Sequence, residues 1–517
     1  MKISVRFLLS NLLVLALLNQ PIAAAMFPVN HALKTRSADY SLPKAVDLSN
    51  KTWSQAFLNM HQLLAHEYAL GEHKNINWDR LKDIYFPLIV SAEASKDKAA
   101  YYQALTQYML ELHDTHSSIV ADSSNEIALN FVSDLIKNHT AGSYGLIINK
   151  TNDGQYIASY VEPECSAENV GIQTGAKILT WNNKPIAKAI SETDLVWSNQ
   201  LPWGAYVPST KASVMNEQAR MLVQNTIGAP ARVSWINPGT NKENHATLFA
   251  VDDNNFIANK TKIYPYVDST TGTIKNNKQA NSELDPKKSI TVQWLQNNYV
   301  QLKIMSLDAG DYADEKQSPL YLYFVKTMQD IVSKNPKGII IDLRGNGGGD
   351  GRLGIDFAGF FTSVPQAEFY MKFAYYITET QNYQTLGYGY INSQLPYYVG
   401  PTVVLTDIAT MSAAEWLAVS LQRIGKPVLS IYPNTQGAFC GNAGDPRFIM
   451  PENFWIMFSS CRGYDQYNKI LVDSNGKLDG GVKTDVLIPF DAKTAIDIYT
   501  NGIDRALEFA LSYLEKQ

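Results

Sequence analysis

The stretch Pro401–Gln422, PTVVLTDIATMSAAEWLAVSLQ, constrains this chain more than any other. Its β-branched run Thr402–Thr406 predicts a buried strand. Ala413–Gln422, rich in Ala, Leu, Glu and Gln, predicts a helix. Only Asp407–Met411 lies between strand and serine, so Ser412 falls just before the first helical turn. A serine there has two readings. As an N-cap, its Oγ accepts from a first-turn N–H, with Glu415 completing a capping box. As a nucleophile, it stands where free backbone N–H groups and the positive end of the helix dipole suit an oxyanion. The local pattern alone favours the cap, so the decision has to come from other parts of the chain.

The second informative stretch is Ile339–Gly354, IIIDLRGNGGGDGRLG. Gly349, Gly351 and Gly354 satisfy G-x-G-x-x-G after a strand, which raises a dinucleotide site. The spacing argues against it: a Rossmann turn begins almost at the strand end, whereas Arg344–Gly348 intervene here. Two readings remain. The glycines serve a turn alone, or the backbone at Gly347 and Gly348 points N–H groups at a substrate carbonyl as an oxyanion hole.

Around these stretches the chain sorts into segments. Residues 1–25 carry a basic start at Lys2 and Arg6, an apolar run Phe7–Leu18 and small residues Ala23–Ala25, the pattern of a signal peptide. No later run is apolar enough for a membrane span, so the mature protein is expected to be exported, periplasmic or secreted. Residues 40–135 read as an N-terminal helical region, with amphipathic helices over Thr52–Ala69, Trp78–Ser91 and Ala99–Leu112. Residues 140–255 change to short strands and turns. Residues 256–290 are Asn-, Lys- and Thr-rich, a flexible loop or linker. From 291 to 517 strands and helices alternate, including strands Tyr299–Ile304 and Gly338–Leu343, helix Pro319–Ser333 and a closing helix Ile496–Tyr513. The fold class is therefore α/β and α+β, multidomain. A net charge of −5 gives no footprint for nucleic acid. Neither Cys-x-x-Cys nor a paired-histidine helix supports a metal, and no cofactor is implied. Cys440 and Cys461 are close enough in sequence to bridge, leaving Cys165, although three reduced thiols fit the spacing as well.

Several motifs carry a resemblance. Ser166–Leu179, with its Gly171-Ile172-x-x-Gly175-x-x-Ile178-Leu179 turn, resembles a PDZ domain, which usually carries Asp where Ala176 stands. IIIDLRGNGGG, followed about sixty residues later by a strand and Met411-Ser412-Ala413-Ala414-Glu415, resembles the C-terminal-processing (tail-specific) serine peptidases. That resemblance implies a crotonase-like α/β peptidase domain with Ser412 as nucleophile. It assigns Gly347, Gly348 and Ala413 to the oxyanion hole. The tail-specific branch adds a lysine in the segment matching Tyr432–Phe439, which has none here. A sister branch, like the tricorn core protease, uses a histidine in an L-x-D-x-H motif, and Leu112–His116 matches it at His116. All eight histidines precede residue 246, so a histidine base for Ser412 has to come from far upstream. By the same resemblance the acid falls near Leu478–Asp485, which makes Asp479 the choice, with Asp473 and Asp485 as rivals.

The expectation is thus an exported serine endopeptidase acting on protein or peptide substrates through Ser412, His116 and Asp479, with room for a homo-oligomer. Two rivals stand beside it. One is a non-catalytic carrier of apolar ligands, since the fold also resembles the repeats of interphotoreceptor retinoid-binding protein. The other is an adaptor presenting peptides through its PDZ-like part, which leaves the serine, histidine and glycine motifs unexplained.

Overall fold

The computed structural model describes residues 44–517 apart from 123, 199–206, 253–284, 311, 313, 366–369 and 442–446. The leader 1–25 and most of the linker 256–290 lie outside the described residues. Of that linker, Pro286–Ser289 forms a helical turn and Ile290 already begins a strand. Among the described residues no helix is long and apolar enough to cross a membrane.

The C-terminal half is built on a six-stranded sheet. Its order is Ile290–Trp294, Tyr299–Ile304, Gly338–Asp342, Thr402–Leu405, Val428–Ser430, Val486–Leu487. The first pair is antiparallel and every later pair parallel. Ile339, Ile340 and Ile341 are wholly buried because helices cover both faces, as parallel sheets require. In such sheets sites form beyond the carboxyl ends of the strands. The glycine loop and Ser412 follow two neighbouring strands there, with Ile341 in register with Val404.

The N-terminal helices are Trp53–Glu67, Trp78–Ser95 and Lys98–Leu110, each within a few residues of its sequence period. A fourth, Glu126–Thr140, was not among the sequence expectations. Their core is completed from a distant part of the chain. Phe448, Met450, Phe454, Ile456 and Phe458 pack among Phe57, Met60, Leu64, Tyr102 and Leu105. The strands Phe448–Met450 and Phe454–Met457 form a sheet with Val46–Asp47 and Ser118–Ala121. The N-terminal region thus borrows a hairpin from within residues 291–517, and that hairpin fixes the strand that follows His116.

Residues 142–252 form a β-rich unit around Leu146, Ile148, Trp181, Val233 and Trp235. Its sheet runs Glu243–Phe249, Pro230–Ile236, Lys177–Trp181, Tyr156–Val161, Leu146–Lys150, with helix Lys211–Leu222 packed on it. The expected closing helix Ile496–Tyr513 is two helices, Ala492–Tyr499 and Arg505–Leu514. Gly502 adopts φ 67° in the break, and Asp504 caps the second helix at the Leu507 N–H, 2.9 Å away.

Candidate active site

The Ser412 side chain does not cap its helix. It precedes helix Ala413–Arg423 with φ 56° and ψ −130°, and its Oγ makes no capping hydrogen bond. The residue is 2 % exposed, yet the Oγ has no partner among the described residues. Nor does Glu415 close a capping box. Its buried carboxylate accepts from the N–H groups of Gly437 (2.7 Å) and Ala438 (2.9 Å) and from Thr435 Oγ1. Burial pushes that carboxyl up to about 7 against these donors. Ala438 O in turn accepts the Ser412 N–H at 2.9 Å. A backbone held at positive φ, with a buried hydroxyl kept free, is the strain expected of a functional position.

The glycine loop faces the serine at close range. A Cβ on Gly348 would lie 2.7 Å from Ser412 Cβ and 3.0 Å from Ala413 N, so any side chain there would fill the space before that N–H. The loop is pinned from below by Asn346, whose Nδ2 donates to Ile304 O at 3.0 Å and whose backbone O accepts the Met411 N–H at 3.1 Å. Asn346 Oδ1 also takes the Gly348 N–H at 2.8 Å. This corrects the expectation for Gly348: its donor is already engaged, and its role here is close approach. The N–H groups of Gly347 and Ala413 have no partner among the described residues. The dinucleotide reading fails on packing. A Cβ on Gly351 would strike the Trp416 ring at 2.4 Å and one on Gly354 the Ala413 O at 2.7 Å, so protein occupies the space a pyrophosphate would need.

His116 arrives just before strand Ser118–Ala121, which pairs with Phe454–Met457. Asp114 shapes its loop. The fully buried Asp114 carboxylate accepts from His116 N (3.1 Å), Tyr68 OH (3.1 Å), Ser117 Oγ (2.6 Å) and Ser459 Oγ (2.7 Å). Thr115 joins the same loop to the other units. Its Oγ1 donates to Val207 O at 2.8 Å and accepts from Gln436 Nε2 at 2.7 Å. Gln436 sits in the segment that lacks the branch lysine, and its own N–H donates to Thr410 O beside the serine loop. Burial lowers the pKa of His116, with Asp114 opposing, so the imidazole stays neutral to lower pH than an ordinary histidine.

Asp479 is placed elsewhere. It is exposed and pairs with Lys211 at 3.3 Å. Asp485 is structural, taking the Val428 N–H at 2.8 Å and Gln422 Nε2 at 2.9 Å. The rival Asp473 is the buried one. Its Oδ1 accepts the Phe439 N–H at 2.6 Å while Oδ2 has no partner among the described residues, and burial, with Asp114 adding to it, raises its pKa well above the carboxylate range. Ser412 Oγ, His116 Nδ1, Gln436 Oε1 and Asp473 Oδ2 are all buried with no partner among the described residues, so no hydrogen bond joins Ser412, His116 and Asp473 directly. The segment 436–439 links them, through Gln436 to Thr115 and Thr410, Ala438 O to the Ser412 N–H and the Phe439 N–H to Asp473. The Cys440–Cys461 disulfide forms next to Phe439 and stiffens this wall, and Cys165 takes no part in it.

Residues 299–442 match the model of Peptidase family S41. No curated protein matches the chain by sequence. Among solved structures, mature CPAF complexed with lactacystin superposes with a TM-score of 0.56 at 12% identity, covering 90% of this chain and 99% of that one. A second structure of mature CPAF gives 0.54 at 13%, covering 90% and 96%. The photosystem II D1 C-terminal processing protease gives 0.36 at 14%, covering 88% and 100%.

Proposed function

We propose that this chain, a serine peptidase of the C-terminal-processing family, cuts protein substrates with a Ser412–His116–Asp473 site. His116 takes the Ser412 proton as the hydroxyl attacks the scissile carbonyl, and Asp473 steadies the imidazolium that forms. The N–H groups of Gly347 and Ala413 hold the oxyanion. His116 then returns the proton to the departing amine, and water repeats the cycle on the acyl-enzyme.

The observation that carries this reading is the released Ser412 Oγ at a strained helix start, between the open N–H of Ala413 and a glycine loop that offers the open N–H of Gly347. A carrier of apolar ligands would gain nothing from four buried polar atoms left unpaired, each costly where water is excluded. The β-rich unit fits a PDZ-like role: Leu146–Lys150 ends the sheet and runs beside helix Lys211–Leu222, the strand-and-helix pair along which such a domain takes an extended peptide. The basic-apolar leader and the Cys440–Cys461 bond both suit an exported protein. The test is labelling with a fluorophosphonate and mapping the adduct by mass spectrometry. A single adduct on Ser412 is expected, and loss of casein hydrolysis in step with labelling. Full hydrolysis by a protein whose Ser412 stays unlabelled would overturn the assignment.

A further inference from the structure

Among the described residues, the region around the site holds one buried cation that the mechanism above does not use. Lys74 lies in the turn between the helices Trp53–Glu67 and Trp78–Ser95 and is only 5 % exposed. Its Nζ donates to His113 O at 2.9 Å and to Ser474 Oγ at 2.7 Å. The first partner belongs to the loop carrying His116 and the second to the loop carrying Asp473. The turn itself is seated tightly: a Cβ on Gly476 would come 2.3 Å from Lys74 O, and His73 Nε2 lies 3.2 Å from Asp473 O.

We infer that Lys74 is a positioning residue that latches the histidine loop to the acid loop and supplies the positive charge under which Asp473 works. The inference rests on the serine–histidine reading above. The groups facing Lys74 are Asp114 and His113 from the loop after the third helix, and Asp473 from the acid loop. Tyr68 and His73 come from its own turn, and Glu415 lies behind Asp473. Three buried carboxylates against one ammonium leave the cluster short of positive charge, and Lys74 is its one cation among the described groups. Burial lowers the lysine pKa, and Asp114 and Asp473 oppose that fall.

The sign of the effect follows. The active form has neutral His116 and ionised Asp473, with no proton on the pair. A nearby ammonium opposes the addition of that proton, so removing it moves the acid limb of kcat/KM to higher pH. Lys74→Met is expected to raise the limb by about one unit or more, with KM moved less than about threefold. Lys74→Arg, which keeps the charge, is expected to hold the limb near its original place and recover most of the rate.

The experiment is the pH profile of casein hydrolysis for the full-length protein and for Lys74→Met, Lys74→Arg and His116→Ala, with thermal unfolding of each. A uniform loss over all pH in Lys74→Met with an unmoved limb would reduce Lys74 to packing and overturn the inference. If Lys74→Met fails to fold, Lys74→Arg decides alone, since an inactive but folded arginine variant also overturns it. If both lysine variants are dead while His116→Ala turns over, the serine–histidine reading itself fails and Lys74 is the base.

Discussion

Ser412 and its glycine loop are held within one sheet and its connections, whereas His116 and Asp473 are held by contacts that cross between units, joining 68–118 and 207–210 to 436–439 and 459–474. The serine side is core: Asn346, Thr410 and Glu415 are wholly buried, and every loop they shape begins or ends on a buried strand or helix. The histidine side is an assembly of three units meeting at their edges. Its geometry is only as good as the docking of the N-terminal helices and the β-rich unit. A perturbation of the core should therefore cost stability first, and a perturbation of the docking should cost rate first.

The largest expected effect is at Ser412. Ser412→Ala should lower kcat/KM by roughly 10⁴-fold or more, while leaving the unfolding temperature almost unchanged, because the Oγ makes no hydrogen bond. Ser412→Gly should be equally inactive and more stable by about 1 kcal/mol, since glycine relaxes the positive φ. Casein hydrolysis and thermal unfolding measure both. A clear loss of stability in the alanine variant would mean that the hydroxyl serves the fold after all.

On the histidine side, Asp473→Asn should cut kcat/KM by at least about 100-fold, and Asp479→Asn should change it less than about twofold. Burial raises the Asp473 pKa, so activity should fall as pH drops through that raised value, and the Asn variant should lack this step. Equal losses in the two variants would remove the distinction between them.

Two further changes separate core from docking. Arg344 forks between Asp342 and Asp504, with all four contacts between 2.6 and 2.9 Å. Burial would raise Asp342, but Arg344 holds it down at about 2. Arg344→Met should then destabilise the protein by roughly 3–5 kcal/mol, because two carboxylates lose their partner. The stability that Asp342 contributes in the intact protein is present above the usual carboxylate range and lost as pH falls towards 2. Thr115→Val, by contrast, removes the links to Val207 and Gln436 and should lower kcat/KM only about tenfold, with little change in denaturant midpoint.

The same division decides what could be read from the sequence. Ser412, the glycine loop and the strands before them were legible because their signals are local: a β-branched run, a glycine cluster, a helix-forming segment. His116 came from a short motif. The acid did not follow from spacing, because Asp473 and Asp479 lie on one loop and only tertiary contacts turn Asp473 towards Phe439 and Asp479 out to Lys211. The borrowed hairpin Phe448–Met457 and the burial of Lys74 left no periodic trace for the same reason. The break in the last helix was readable, since Asn501-Gly502 followed by an Asp cap is a stop-and-start signal.

The central claim is that a histidine from the N-terminal region serves a serine in the C-terminal sheet. The most direct measurement compares kcat/KM at pH 8 for His116→Ala and His113→Ala. His113 lies in the same loop, and its backbone O, the Lys74 acceptor, survives substitution. The expected result is a loss of roughly 10³-fold or more in His116→Ala and a change of only a few-fold in His113→Ala. Near-normal turnover by His116→Ala would contradict the claim, whichever way His113→Ala behaves.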